Sequence, residues 1–213
     1  MSKRTQTPLE EKWNYITHGV AALASLVALV ILLYKGNHKD QLAFYALLLY
    51  GISLIFLYTA SSVYHYVSKV DLKSQLRVLD HIGIYVLIAG TYTPVTLITL
   101  IDSKGWLLFI IVWSIALIGT FLKLFFTGKY EIISLLFYLV MGWLIVLDIE
   151  TLNNIVGFEG MWYLKLGGIA YTSGIIFYAW KKLYFNHVIW HLFVITGSLF
   201  HFIFIMNYVL SYQ

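Results

Sequence analysis

The sequence predicts an all-α membrane protein, a seven-transmembrane helix bundle with its N-terminus cytoplasmic and its C-terminus outside. Three observations carry that expectation. Of 213 residues, 61% are hydrophobic and only 11% charged, with a mean hydropathy of +0.82, whereas a soluble domain carries about 25% charged residues. Apolar runs of spanning length recur along the chain with short connections. Lysine and arginine crowd into alternate connections, as they do when positive charge is retained on the inner side.

The runs fall at roughly 16–34, 43–66, 79–101, 105–125, 131–147, 161–180 and 188–210. The first follows a polar stretch of mixed charge and is of full spanning length, so it reads as an uncleaved helix and not a signal peptide. The third contains Gly90-Thr91-Tyr92-Thr93-Pro94. Proline there kinks the helix, and the threonines can re-satisfy the freed backbone groups. The sixth stops at Lys181-Lys182, which can also touch anionic head groups. The seventh opens with His187-Val-Ile-Trp-His191. No Pro/Gly/Ser-rich linker divides the chain and no internal repeat marks duplicated halves, so residues 1–213 read as a single seven-transmembrane domain. Tyrosines and tryptophans belong mostly to interfacial belts and packing.

With seven spans, the N-terminus and the second, fourth and sixth connections share a side. That side carries Lys3, Arg4, Lys12, Lys69, Lys73, Arg77, Lys123, Lys129, Lys181 and Lys182, ten of the fourteen basic residues. The other side carries Lys35, Lys39, Lys104 and Lys165. The resulting direction is opposite to that of a G-protein-coupled receptor, and the last run has no lysine for a retinal Schiff base. The net charge of +4 sits in orienting loops, which argues against nucleic acid as a partner. The absence of cysteine excludes disulfides, thiolate metal sites and cysteine nucleophiles.

Orientation also places the chemistry. His65 falls at the inner end of the second run, Asp80 in the first turn of the third, and His187 and His191 in the first two turns of the seventh. Glu11, Asn14 and His18 lead into the first. Four helix ends thus present ionisable residues at one depth, where such groups are costly and usually functional. His187 and His191 are four apart and share a helix face. Three imidazoles are the ligand number of a catalytic zinc site, which leaves a position for water. Asp80 is the natural base for that water, and Ser61, one turn before His65, can donate to an oxyanion. With only nitrogen and oxygen ligands on offer, the expected cofactor is Zn2+ or a first-row neighbour bound by imidazole.

Blander readings stand beside these. A lone membrane histidine more often bonds between helices than binds metal. Glu11, Asn14 and His18 read equally as groups orienting the ligands or as the polar start of a helix. His201 lies about 21 Å deeper than His187 at 1.5 Å per residue, too far for the same ion. It reads as a cavity-lining or cross-helix residue. His81 points about 100° away from Asp80, and His38 reads as solvated. Asp148, Glu150 and Glu159 read as a solvated acidic face.

Glu11-x-x-Asn14-x-x-x-His18, Ser61-x-x-x-His65, Asp80 and His187-x-x-x-His191, taken in order, resemble the hemolysin III family. That family is grouped with the progestin and adipoQ receptors and is more distantly similar to the alkaline ceramidases. The Gly90–Pro94 segment resembles the bacterial branch. The resemblance covers essentially the whole chain and implies zinc on His65, His187 and His191, with Asp80 fixing a water and Ser61 beside it.

Three functions follow as expectations. One is a zinc-dependent hydrolase of lipid amide or ester bonds serving membrane lipid homeostasis, with a lipid-derived substrate or fatty acid inside the bundle. The second is a hemolysin-type cytolytic protein. The third is a non-catalytic sensor or regulator with a structural zinc. Membrane lipids are the expected partners, and a bacterial plasma membrane the expected location.

Overall fold

The structure, a computed structural model, describes residues 5–211; Lys3 and Arg4 of the charge count lie outside the described residues. These form helices and no strands. Helix α1 is Pro8–Lys35 and begins well before the first apolar run. The reason is a capping box. The Glu10 amide donates to Thr7 Oγ1 at 3.3 Å, and the Glu10 carboxylate accepts from the Thr7 amide at 2.9 Å. Pro8 follows at the first helical position, where its missing N–H costs nothing. The early start puts Glu11, Asn14 and His18 on a rigid helix. On its outer side Val20, Leu23, Val27 and Val30, all at least 60% exposed, repeat every three to four residues and face the lipid.

Helix α2, Gln41–Tyr66, is capped by Asp40, whose side chain accepts from the Ala43 amide at 2.8 Å. Helix α3, Val70–Pro94, continues through a π turn over Val95–Thr99. The wider turn begins directly after Pro94, as the missing N–H predicts. The hydroxyls of Thr91, Thr93 and Thr96 donate to the carbonyls of Leu87, Ala89 and Tyr92 at 2.8–2.9 Å. Helix α4 is Gly105–Phe126. Helix α5, Glu131–Trp143, runs through a 3-10 turn at Leu144–Asp148 into α6, Ile149–Ala179. Helix α7, Asn186–Phe204, ends in a second π turn, Ile205–Val209.

By length and composition, six helical segments among the described residues can cross a membrane. The two runs expected at 131–147 and 161–180 form one of them, a 49-residue stretch, Glu131–Ala179. Within it the backbone leaves helical geometry at Gly157 (φ 67, ψ −176), a conformation that glycine alone tolerates well. Asp148 is not a solvated acid. It is buried, accepting from the Lys104 amide at 3.1 Å and the Thr151 hydroxyl at 2.8 Å. Glu150 and Glu159 are exposed as expected, so of the three acids Asp148 alone departs from the solvated reading.

Helix α2 packs between α1 and α3, and α7 closes against α6 and α1. Helix α3 is the most enclosed, with 83% of its most apolar window buried against 22% for α1. Inside the bundle, Ser198 on α7 accepts from Tyr58 of α2 at 2.6 Å and pairs with Tyr171 of α6 at 2.7 Å. This closure brings the end of α2 against the start of α7.

Candidate metal centre

His65 lies in the last turn of α2, and His187 and His191 in the first two turns of α7. One ring nitrogen from each comes within 4.8 Å of the others. Ring centroids stand 5.0 Å apart for His65 and His187, 5.1 Å for His65 and His191, and 4.6 Å for His187 and His191. No other group of three or more metal-ligating side chains occurs among the described residues.

Helix α1 holds these rings in place. His65 Nδ1 donates to Glu11 Oε2 at 2.6 Å, which directs Nε2 into the cluster, where it is buried without a partner. An orphaned imidazole nitrogen in a low-dielectric interior is costly, and a carboxylate on the far nitrogen is what orients and enriches a metal-ligating histidine. Glu11 Oε1 in turn pairs with Lys73 at 3.2 Å. His191 Nδ1 lies 3.3 Å from the Thr17 hydroxyl. Its ring is stacked on His18 at 3.5 Å with 8° between planes. Asn14 is fully buried and its amide donates to Gln6. Of the three α1 residues singled out in the sequence, Glu11 bonds to His65 directly, His18 stacks on His191, and Asn14 lies in the same buried layer.

Asp80, 8% exposed, and Ser61, whose Oγ is buried without a partner, line one cavity together with His18, His187 and His191. From there the cavity continues between α3, α5, α6 and α7 past Leu87, Ile88, Leu139 and Ile175 to His201. Its walls are almost wholly apolar. His201 sets its far end and lies 3.3 Å from the Leu164 carbonyl. It both lines the cavity and bonds across helices. His81 also lines the cavity, and His38 is exposed on its loop.

Two residues that the sequence reading passed over support the site. Thr17 contacts His191, as above. Glu10 is buried, and its Oε1 accepts from the Phe185 amide at 2.8 Å. Phe185 has a left-handed backbone (φ 58) two residues before His187, a conformation that costs energy in a bulky residue. The carboxylate that closes the α1 capping box therefore also secures the first turn of α7. Thr7-Pro-Leu-Glu10 carried the local half of that signal; the contact to Phe185 is tertiary.

The donor set suits a borderline metal ion such as zinc: three imidazoles, one with an orphaned nitrogen, and a carboxylate nearby. A model of the haemolysin-III-related family matches residues 6–202. The chain belongs to that family. As a haemolysin-III protein it is 43% identical over 212 residues to Hemolysin-3 of Bacillus cereus, covering 99% of this chain and 96% of that protein. It is 43% identical over 190 residues to the Hemolysin-3 homolog of Bacillus subtilis (strain 168), covering 89% of each. The human monocyte to macrophage differentiation factor is 33% identical over 173 residues, 76% of this chain and 69% of that protein. Family membership and the apolar helices make this haemolysin-III protein a multi-pass protein of the cell membrane, and the Bacillus relatives fit a bacterial one.

Proposed function

We propose that His65, His187 and His191 hold a zinc ion and that the protein hydrolyses an amide or ester bond of a membrane lipid. One observation carries this reading. The unpartnered Ser61 hydroxyl, the Asp80 carboxylate and the His187 and His191 rings gather at one end of a long apolar cavity, with the unpartnered His65 Nε2 in the adjoining histidine cluster. The arrangement suits a ligand with one reactive polar linkage and a long apolar tail. From His187 to His201 the cavity wall rises about 21 Å at 1.5 Å per residue.

Zinc, when bound, would supply Lewis acidity and lower the pKa of water toward about 7. The chain's own groups do the rest. Glu11 keeps His65 Nε2 aimed at the site. Asp80 takes the proton as water oxygen bonds to the carbonyl carbon, and Ser61 donates to the developing oxyanion. When the C–N or C–O bond breaks, the proton held by Asp80 passes to the leaving nitrogen or oxygen. The products are a carboxylic acid and an amine or alcohol.

The topology belongs to the same proposal. The 49-residue stretch would be about 74 Å long as a straight helix at 1.5 Å per residue, over twice a hydrocarbon core of about 30 Å. Read as two spans divided near Gly157, it gives seven, with the N-terminus and the histidine cluster on the cytoplasmic side.

The purified protein is expected to release fatty acid from a ceramide-like lipid, and Asp80→Asn to abolish release while metal stays bound. Metal retained by the wild type with no turnover across a broad lipid panel would leave the ion a structural role. The name of the Bacillus relatives favours a second reading, membrane lysis. Dye leakage from liposomes that persists in His187→Ala would support lysis independent of the site.

A further inference from the structure

A second recess, of about 410 Å³, opens where α2 ends, α3 begins and α4 ends. It is lined by Lys73, Arg77, Ser68 and Thr127 among its polar residues, with Leu124 and Phe125 on its apolar flank. The local charge does not balance. Glu131 serves both Arg77 at 3.1 Å and Lys123 at 3.6 Å, and Glu11 is shared by Lys73 and His65. Lys69 and Lys129 lie exposed on the two bounding loops, against Asp71 alone. Asp80 lies one turn beyond Arg77, so five cations stand against four carboxylates, of which Glu11 is shared with His65.

Arg77 is the group able to take a ligand. Its side chain is 40% exposed, and one N–H to Glu131 is the hydrogen bond it makes, out of five donors in a fixed fork suited to phosphate oxygens. Lys73 is committed to Glu11 and to the carbonyls of Tyr64 and Val67, each at 3.2 Å, so it contributes field and not a free donor. The flank decides the source of the anion. Val70, Leu124 and Phe125 are 79%, 56% and 63% exposed, apolar surface of no use to a free ion but suited to acyl chains attached to a phosphate. The recess also sits at the ends of membrane-spanning segments, the depth of lipid head groups.

We infer that this recess is a binding site for the head group of an anionic phospholipid, with Arg77 as the phosphate fork and Lys73 as its electrostatic support. No histidine lines the recess and Arg77 bonds to Glu131, so Arg77→Gln tests this site apart from the metal proposal, whereas Lys73 shares Glu11 with His65.

Native mass spectrometry of the full chain in detergent, titrated with phosphatidylglycerol or phosphatidylcholine, tests it. Phosphatidylglycerol should bind in preference. A juxtamembrane cation contributes enough that Arg77→Gln should weaken binding about fivefold and the Lys73→Gln/Arg77→Gln pair about 25-fold. Lys35→Gln, a charge-matched change at the far end of α1, should leave it unchanged. An equal loss in Lys35→Gln, or no preference over phosphatidylcholine, would overturn the site in favour of a diffuse field. Displacement by millimolar inorganic phosphate would overturn the lipid as ligand. A measurement that needs no variant is salt: binding to the wild type should fall as the Debye length shrinks from about 10 Å toward 3 Å. Insensitivity to salt would contradict a phosphate held by Arg77.

Discussion

At the scale of residues, the proposed metal site rests on the groups that orient the three histidines as much as on the histidines. Glu11 makes the shortest such contact, 2.6 Å to His65. Glu11→Gln keeps the shape but removes the charge, and should weaken metal binding by about 10–100-fold, measured by competition with a chromogenic chelator. Unchanged affinity would mean that the carboxylate only pairs with Lys73. Ser61→Ala should lower kcat by about 10²-fold with metal content intact, if its hydroxyl meets an oxyanion. The three histidines, Asp80 and Ser61 were legible in the sequence because each lies near the end of an apolar run and the topology assigns those ends a common depth. Thr17 and Glu10 were not, because their roles arise from α1 crossing α7, and no local pattern encodes a crossing.

At the scale of elements, close approach between helices fixes where the site can form. A Cβ on Gly119 of α4 would lie 2.3 Å from the Tyr85 ring of α3. Gly119→Ala should therefore overpack this contact and cost about 1–3 kcal/mol, read as a lowered melting temperature in detergent. An unchanged melting temperature would show that Tyr85 moves freely. A disturbance of the helix at Pro94, with its threonines bonding back to carbonyls, was legible; its form as a π turn was not. The start of α1 was not, since hydropathy marks the membrane span and the capping box lies outside it. Asp148 misled for a related reason: an acid between apolar runs looks solvated until the helix ends it bridges are known.

At the scale of the whole molecule, the outline was legible because hydropathy, length and charge asymmetry act over the entire chain. The count of crossings was not resolved in the same way, because the segment between the fifth and sixth runs is itself helical apart from Gly157. Single cysteines introduced into this cysteine-free chain settle the matter. With seven spans, a cysteine at Ser68 should label from the cytoplasm, and one at Asn37 or Asn154 from outside. Labelling of Asn154 and Ser68 from the same side would contradict the seven-span arrangement.

The central claim is that three imidazoles from α2 and α7 share one ion. Elemental analysis of the detergent-purified protein, beside a His65→Ala/His187→Ala/His191→Ala variant of matched purity, tests it most directly. The account predicts about one zinc per wild-type chain and almost none in the variant. Equal metal in the two proteins, or none in either after purification without chelator, would contradict it.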